Sequence, residues 1–283
     1  MKIGIIGNGF VGKATNLLKC CDISIIIYDI NPSLCFPLNT TLEDICNCDL
    51  IFISVPTPMN KDGSCHTTIL ESVIDDINKI KSINEILVVN RCTVPINTSN
   101  KLNCYYMPEF LTEKNFEDDF INNNEWIFGL KNTSSDIIFK QKITHLINLA
   151  YKNKCIKHNI IHFVDNNEAE MIKLFRNTFL STKISFCNEM FQFCKKQNIS
   201  YENVRKLATN DPRIGSSHTN VPGHDGLFGY GGTCFPKDTN NLYFQMKQNN
   251  IQSYIIKATV ERNENIDRPE HDWKLNKNRA FIE

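Results

Sequence analysis

The sequence lacks a charge imbalance of either sign. Its 31 lysine and arginine residues equal its 31 aspartate and glutamate residues, and no long run of basic residues appears. A chain without net charge has no global electrostatic attraction for nucleic acid or for an anionic membrane surface. We therefore expect neither a nucleic acid nor a membrane among its partners.

Hydrophobic segments long enough to cross a membrane are absent as well. The longest apolar runs, such as Ile23–Ile27 and Leu50–Val55, have the length of strands, whereas a membrane helix needs about 18 apolar residues or more. The N-terminus also lacks the long apolar core and the small-residue cleavage site of a signal peptide. The sequence thus predicts a protein of the reducing cytoplasm.

Cysteine is plentiful, but no two of the twelve cysteines are spaced as Cys-x-x-Cys. A zinc ribbon or a thioredoxin-like redox site is therefore not expected. Scattered cysteines in a cytoplasmic chain are mostly small buried hydrophobic residues, so a catalytic cysteine has to be identified from its neighbours. His218 and His224 share a loop without a third candidate ligand, and no metal site is predicted.

Apolar stretches of strand length alternate with stretches of helical spacing in the first half of the chain. The stretches KIGIIG, ISIIIYD, DLIFISVP and EILVVN are typical of buried strands, and FVGKATNLLKC and TTILESVIDDINKI are typical of helices. This alternation predicts a mainly parallel sheet with helices on both faces. The expected fold is α/β, with a Rossmann-like doubly wound domain over residues 1–165.

The second half of the chain has mainly helical patterns. Residues 167–197 contain neither proline nor glycine and predict one long helix, and YENVRKLATN predicts a short one. A polar, glycine-rich loop follows at 213–232, before further helices at about 239–248 and 253–265. We expect residues 166–283 to form an all-helical domain that ends in a frayed polar tail.

Glycines with the spacing Gly7-x-Gly9-x-x-Gly12 stand between the first predicted strand and the first predicted helix. In this context the first glycine permits a tight turn, the second lets the backbone approach a pyrophosphate, and the third lets helix and strand pack closely. The phosphates would then lie at the helix N-terminus, beside Phe10 and Val11. The pattern predicts a dinucleotide site; the alternative is an ordinary tight turn.

Asp29 ends the second predicted strand, about 20 residues after the glycines. An acidic residue at this point accepts hydrogen bonds from the adenosine ribose and repels the 2′-phosphate of NADP, so NAD is the expected cofactor. Thr57 and Thr93 follow two other predicted strands, and ligands of this fold bind at the carboxyl ends of strands. We expect both threonines near the dinucleotide, the alternative being loops that proline merely rigidifies.

Four further stretches contain polar residues of the kinds used in catalysis: MPEFLTEKNF, EAEMIKLFRNTF, DPRIGSS and GYGGTCFPKD. In the second of these, Lys173 and Asn177 are four residues apart and share one face of the predicted long helix. The last contains Cys234, Lys237 and Asp238. Each stretch also has a structural interpretation, such as a solvated helix face for Lys173 and Asn177 or a small buried side chain for Cys234.

Together and in this order, the motifs resemble those of the nucleotide-sugar 6-dehydrogenases, the UDP-glucose/GDP-mannose dehydrogenase family. The matching stretches are GIIGNGFVG, VPTP, CTVP, MPEFL, EAEMIKLFRNTFLSTKISFCNE, DPRIG and GYGGTCFPKDT, and they extend from residue 1 to about residue 265. The resemblance implies that two hydrides pass in succession to two NAD molecules as the C6 hydroxymethyl group of a sugar nucleotide becomes a carboxylate. UDP-glucose is the implied substrate and UDP-glucuronate the implied product.

The resemblance also implies catalytic roles for several residues. Cys234 would attack the aldehyde formed first, giving a thiohemiacetal and then a thioester that water hydrolyses. Lys173 and Asn177 would donate hydrogen bonds to the developing oxyanion. Asp238 would assist proton transfer or orient water.

Binding roles are implied for a further set of residues. Thr93 and Glu113 would hold the catalytic water and contact the cofactor, and Lys237 would lie near the phosphates of substrate or cofactor. Gly231 would let the substrate approach closely, and Arg213 would reach the substrate of the other subunit. The implied substrate strip consists of Glu109, Phe110, Leu111, Thr112 and Glu113.

The resemblance implies a homodimer formed through the helical domain, and isologous dimers are the commonest oligomers. Most members continue into a second Rossmann-like domain that helps to bind the uridine diphosphate, so this chain is expected to be a short form. Two alternatives to UDP-glucose oxidation stay open. One is the same chemistry on GDP-mannose or a UDP-N-acetylhexosamine, and the other is a catalytically weak, NAD-binding regulatory subunit.

Overall fold

The computed structural model describes residues 1–277 and 279–282 of the chain. Contacts between Cα atoms divide these residues into two compact units. The first, here called the sheet unit, consists of Met1–Thr57 and Thr67–Lys173. The second, the helical unit, consists of Pro58–His66 and the chain from Leu174 onward.

Seven strands, rich in isoleucine, valine and aromatic residues, form one sheet in the sheet unit. They are β1 (Lys2–Ile6), β2 (Ser24–Tyr28), β3 (Leu50–Ile53), β4 (Val88–Asn90), β5 (Tyr105–Tyr106), β6 (Glu125–Leu130) and β7 (Ile160–Asp165). Their order is β2-β1-β3-β4-β5-β6-β7, and all neighbours are parallel except β5 and β6. The order reverses at β1, so the carboxyl ends of β1 and β3 form a switch point, where doubly wound folds bind ligands.

Helices pack on both faces of this sheet. They are α1 (Phe10–Asn16), α2 (Leu42–Cys46), α3 (Thr68–Ile80), α4 (Thr98–Lys101), α5 (Phe116–Ile121) and α6 (Asp136–Lys152). Leu50 and Phe52 of β3 pack with residues of α1, α5 and α6, whereas the alternate residues Ile51 and Ile53 pack with residues of α2 and α3. Both faces are therefore covered, which confirms the predicted Rossmann-like, doubly wound sheet.

The long helix α7 (Asn166–Lys196) begins in the sheet unit and continues into the helical unit. Its bounds agree to within one residue with the predicted 167–197. Ala169, in its first turn, packs in an apolar cluster of the sheet. This packing explains why the contacts divide the chain after Lys173, whereas the sequence predicts a domain boundary at residue 165.

Among its described residues, the helical unit contains three further helices, as its sequence predicts. They are α8 (Tyr201–Ala208), α9 (Phe235–Gln248) and α10 (Tyr254–Arg262), followed by a π-helical turn (Asn263–Asp267) and a 3₁₀ turn (Asp272–Leu275). Within the part of the chain that the structure describes, no helix is long and apolar enough to cross a membrane.

The C-terminal stretch is packed within the helical unit, so the expectation of a frayed tail is wrong. Arg268 and Trp273 are almost completely buried. Backbone hydrogen bonds also join Met59 to Ala280 (2.9 Å) and to Ile282 (2.9 Å). The stretch has a polar sequence, but its large side chains and its backbone find partners that are distant along the chain.

Candidate functional site

The glycine turn between β1 and α1 is packed too closely for side chains at two of its three glycines. Gly7 has a φ of +91°, and a Cβ there would lie 2.5 Å from the carbonyl oxygen of Ser54. A Cβ on Gly12 would overlap the carbonyl oxygen of Gly7, whereas a Cβ on Gly9 would meet nothing within 4 Å. The turn therefore leaves open space at Gly9, where a phosphate could approach the backbone.

Asp29 lies against this turn. Its carboxylate accepts hydrogen bonds from the backbone N–H groups of Asn8 (2.7 Å) and Asn31 (2.9 Å). Phe10 and Val11 begin α1 on the other side of the turn and are half-buried. The acidic residue and the glycine turn are thus brought together, as a dinucleotide site requires.

Thr57 and Thr93 are brought together as well. The Thr57 hydroxyl donates a hydrogen bond to the backbone carbonyl of Thr93 (2.7 Å), and both side chains are buried. The loops that follow β3 and β4 are therefore joined at the carboxyl edge of the sheet. In contrast, Glu113 is on an exposed turn before α5.

Lys173 and Glu109 form a buried ion pair in the sheet unit. The Lys173 ammonium donates to the Glu109 carboxylate (2.6 Å) and to the Glu109 backbone carbonyl (2.7 Å), and the two side chains are 2% and 5% exposed. The same carboxylate accepts from the backbone N–H of Leu111 (2.9 Å), and the Lys173 ammonium lies 5.9 Å from the centre of the Phe110 ring. A solvated helix face is therefore the wrong interpretation of Lys173.

The next residue of the predicted substrate strip has a local partner. Thr112 donates its backbone N–H (2.7 Å) and its hydroxyl (2.6 Å) to the carboxylate of Asp119. This pair ties the exposed end of the strip to α5.

Cys234 is the residue immediately before α9 and is half-exposed. The positive end of a helix dipole stabilises a thiolate, so this position suits a nucleophile. Other thiols are in different surroundings: burial raises the pKa of Cys104 to about 12 and that of Cys48 to about 11. All twelve cysteines lie in the described residues and none of them forms a disulfide; those that are buried are Cys35, Cys46, Cys92, Cys104, Cys187 and Cys194.

A buried polar group lies one helical turn after Cys234. The Asp238 carboxylate is completely buried and accepts hydrogen bonds from the Asn177 amide (2.5 Å) and the Lys237 ammonium (2.7 Å). Burial alone would lower the pKa of Lys237, but the Asp238 carboxylate and the thiols of Cys65 and Cys234 raise it above its ordinary value. Lys237 is thus directed at Asp238, and its predicted contact with phosphates stays a prediction.

Two residues that are predicted to bind the substrate make other contacts in the structure. Arg213 is 88% exposed and forms an ion pair with Asp211 in its own loop (2.6 Å). Gly231 lies against the guanidinium group of Arg268, which a Cβ on Gly231 would overlap. The small size of Gly231 therefore has a structural reason that the sequence does not show.

Two buried ionisable residues of the sheet unit are not among the predicted site residues, although Glu170 lies within the stretch EAEMIKLFRNTF. Arg91 donates to the hydroxyl of Thr15, and burial lowers its pKa to about 10. Glu170 accepts from the backbone N–H groups of Asn97 (2.5 Å) and Ser99 (2.8 Å). Their partners are more than 70 residues away along the chain, so the sequence does not show these contacts.

A metal centre has no support in the described residues. Among residues 1–277 and 279–282, no group of three or more His, Cys, Asp or Glu side chains could hold a metal ion.

Two domains of one protein family match the chain. The NAD binding domain of the UDP-glucose/GDP-mannose dehydrogenase family matches residues 33–147, and the central domain of that family matches residues 167–265. The UDP-glucose 6-dehydrogenase of Campylobacter jejuni subsp. jejuni serotype O:2 is 30% identical over 300 residues, which cover 93% of this chain and 72% of that protein. The chain belongs to the UDP-glucose/GDP-mannose dehydrogenase family.

The chain covers a smaller share of a second relative. The UDP-glucose 6-dehydrogenase of Rickettsia bellii is 31% identical over 232 residues, which cover 78% of this chain and 50% of that protein. The chain thus spans between half and 72% of the length of these two relatives. The structure of a UDP-glucose dehydrogenase from Pyrobaculum islandicum has a TM-score of 0.78 at 23% identity, covers 97% of this chain and 71% of that one, and shows the fold.

Family membership confirms several predictions from the sequence. The enzyme class, a nucleotide-sugar dehydrogenase, is confirmed, and so is NAD as the cofactor of the family. The match to the NAD binding domain begins at residue 33, so the glycine turn lies outside the matched range. The roles of individual residues, the sugar nucleotide, the homodimer and the cytoplasmic location stay predictions.

Proposed function

We propose that this chain is an NAD-dependent nucleotide-sugar 6-dehydrogenase that oxidises UDP-glucose to UDP-glucuronate. The observation that carries the proposal is the position of Cys234 at the N-terminus of α9, one turn before the buried Asp238. Asn177 and Lys237 donate hydrogen bonds to that carboxylate. A nucleophile that precedes a buried acid–base group suits an oxidation with a covalent intermediate.

The sheet unit has features that suit NAD. The open space at Gly9 and the close packing at Gly7 and Gly12 fit a dinucleotide on the turn. Asp29 lies against the same turn, where its carboxylate would accept hydrogen bonds from ribose hydroxyl groups and repel a 2′-phosphate. When bound, NAD accepts the hydride in each of the two oxidations.

The proposed chemistry consists of two oxidations and one hydrolysis. The C6 hydroxymethyl group first loses a hydride and a proton and becomes an aldehyde. The Cys234 thiolate then adds to the aldehyde carbon, and protonation of the oxygen gives a thiohemiacetal. Loss of a second hydride and a proton leaves a thioester, and water cleaves its C–S bond to give a carboxylate and the free thiol.

The buried polar residues are assigned to proton transfer and charge stabilisation. Asp238 is held by Asn177 and would exchange protons with the hydrolytic water near Cys234. Lys173 and Asn177, one turn apart on α7, are the proposed donors to the oxyanion. Glu109 would hold the Lys173 ammonium in place.

The substrate is tested by measuring NADH absorbance with UDP-glucose, GDP-mannose and a UDP-N-acetylhexosamine in turn. We expect two NADH per UDP-glucose consumed and slower reaction with the other two. Two NADH per GDP-mannose or UDP-N-acetylhexosamine, with none from UDP-glucose, would move the proposal to that sugar nucleotide. A folded dimer that binds NAD but oxidises none of the three would contradict the proposal and favour a regulatory subunit.

The nucleophile is tested with Cys234→Ser. Serine lacks a thiol that ionises near neutral pH, so we expect the rate of UDP-glucuronate formation to fall by about a thousandfold or more. The matched control is Cys21→Ser, because Cys21 is an exposed thiol in the sheet unit that no proposed step uses. Formation of UDP-glucuronate by Cys234→Ser at the wild-type rate would remove Cys234 from the mechanism.

The partner proposed for the helical unit is a second copy of this chain. Four phenylalanines of α7 are 58–62% exposed, and their spacing of four, seven and seven residues puts them on one helical face. This phenylalanine stripe consists of Phe175, Phe179, Phe186 and Phe193. Its rings expose roughly 500 Å², a large part of the roughly 800 Å² that each partner buries in a standard interface.

A further inference from the structure

The loop that leads to Cys234 is held by three buried side chains from other parts of the helical unit. Asn188 is on α7, Asn263 begins the π-helical turn after α10, and Arg268 follows that turn. All three are at most 2% exposed. We call Asn188, Asn263 and Arg268 the loop clamp.

The two asparagines bind the loop backbone. The Asn188 side-chain oxygen accepts from the backbone N–H of Gly229 (3.1 Å). Asn263 makes two bonds to one residue: its oxygen accepts from the Tyr230 N–H (2.8 Å), and its amide donates to the Tyr230 carbonyl (3.0 Å). Because these loop groups are buried, an amide side chain that both donates and accepts is the type of partner they need.

Arg268 holds the loop at a third point. Its Nε donates to the Phe228 carbonyl (3.0 Å), and its Nη2 donates to the Asp225 carboxylate (2.5 Å). Asp272 lies 3.5 Å away from the third guanidinium nitrogen. Burial would raise the pKa of Asp225, but the hydrogen bond and the charge of Arg268 outweigh it and lower that pKa.

The glycines of the loop match the shape of the clamp. A Cβ on Gly231 would overlap the Nη1 atom of Arg268, and a Cβ on Gly229 would overlap the side-chain oxygen of Asn263. These glycines let the backbone lie directly on the two clamp residues. The sequence motif alone suggests space for a sugar, whereas the structure fills the space at Gly231 with a guanidinium group.

We propose that the loop clamp positions the Cys234 thiol, with Arg268 as its main positioning residue. The clamp holds backbone groups of residues 228–230, a few residues before Cys234, and so restricts the path by which the chain enters α9. This inference rests on the proposed role of Cys234 as the nucleophile. Arg268 is itself buried, so it acts through the loop and not on the substrate.

The test measures how fast iodoacetamide alkylates Cys234, followed on its peptide by mass spectrometry. The exposed Cys21 in the same sample is the reference thiol. In Arg268→Lys, which keeps the charge but loses the planar fork, we expect Cys234 to react at least threefold faster. In Gly231→Ala we expect a similar increase, because the new Cβ displaces Arg268. The alkylation of Cys21 stays unchanged in both.

A double-mutant cycle shows whether Gly231→Ala acts through Arg268. In an Arg268→Ala background the overlap is gone, so we expect Gly231→Ala to change the Cys234 rate by less than twofold. An undiminished effect would mean that Gly231 acts on something else and would overturn the proposal. If Arg268→Ala does not fold, the result for Arg268→Lys decides alone. A rate of Cys234 alkylation in Arg268→Lys within twofold of the wild-type rate would then overturn the proposal.

The control variant is Arg205→Lys, which alters an arginine that is paired with Glu202 on α8 and donates to the Thr219 hydroxyl (3.4 Å), ahead of the residues 228–230 that the clamp holds. We expect the rate of Cys234 alkylation in this variant to equal the wild-type rate. In turnover, Arg268→Lys should lower kcat about tenfold and leave the KM for NAD within twofold. If the wild-type chain oxidises no sugar nucleotide, the proposed function fails, while the alkylation rates still decide whether the clamp positions Cys234.

Discussion

The sheet unit and the helical unit differ in how their buried apolar side chains are grouped. In the sheet unit, two apolar clusters line the two faces of the sheet. In the helical unit, among the described residues, the buried apolar cluster consists only of Cys187, Cys194 and Tyr201. Its interior is instead rich in buried polar residues: Ser181, Ser185, Asn188, Asp238, Thr239, Asn241, Asn263, Asp267 and Arg268.

Phenylalanine shows the same difference. Phe52, Phe128 and Phe139 are almost fully buried in the sheet unit. The phenylalanine stripe of α7, by contrast, is mostly exposed in the helical unit. Apolar burial in two clusters is thus the larger contribution in the sheet unit, whereas buried hydrogen bonds and ion pairs contribute a larger share in the helical unit, which also has an exposed apolar face.

The largest expected effect is the loss of a core side chain of the sheet unit. Phe128→Ala should lower the free energy of unfolding by about 4 kcal/mol, because it removes a buried ring and leaves a cavity. The matched control is Phe186→Ala in the exposed stripe. Chemical denaturation of both variants at low protein concentration checks the comparison, and equal losses would contradict it.

The next largest effect is expected from a buried charge of the helical unit. Lys237→Met should lower the free energy of unfolding by about 3 kcal/mol, because it leaves the Asp238 carboxylate buried without its counter-ion. The double variant Lys237→Met/Asp238→Leu should recover most of that stability but no activity. A single variant as stable as wild type would show that the ion pair does not support this unit.

A smaller effect is expected from a carboxyl group that is buried in the sheet unit. Burial raises the pKa of Glu170 from 4.5 to about 7. The folded state therefore holds the proton more tightly, and this contribution to stability is complete below pH 4.5 and is lost as the pH rises through 7. Glu170→Gln cannot titrate.

Between pH 4.5 and 7, the free energy of unfolding of wild type should thus fall relative to Glu170→Gln by about 2 kcal/mol. Denaturation of both proteins across this range measures the difference. If the free energies of unfolding of the two proteins changed in parallel with pH, the pKa of Glu170 would not change on folding.

The smallest effect on the monomer is expected at the phenylalanine stripe. Phe186→Asp/Phe193→Asp should change the stability of the monomer by less than about 0.5 kcal/mol, because both side chains are exposed. The same variant should weaken dimerisation by tenfold or more, since charges in an apolar interface are costly. Sedimentation at several concentrations measures this, and an intact dimer would exclude the stripe as the interface.

Much of the architecture could be predicted because its signals are local. The strands β1 to β4 have continuous apolar sequences, and α7 lacks helix breakers over its full length. The predicted strands do not include β6 and β7, which complete the sheet. The polar composition of the C-terminal stretch does not show that Arg268 and Trp273 are buried, because their burial depends on partners elsewhere in the chain.

The types of the candidate site residues could be predicted from the sequence, but the contacts between them could not. The helical spacing correctly put Lys173 and Asn177 one turn apart on α7. It could not show that Lys173 is held by Glu109 and Asn177 by Asp238. Such pairs join residues about 60 positions apart, and their distances exist only after folding.

The sequence by itself determined the alternation of strands β1 to β4 with helices, the long helix α7 and the glycine turn, because periodicity and turn geometry are local properties. Only the tertiary structure decided that Gly231 accommodates Arg268 and that Asp238 is buried with Lys237 and Asn177. These features depend on desolvation and on contacts between distant segments, and neither exists until the chain is packed.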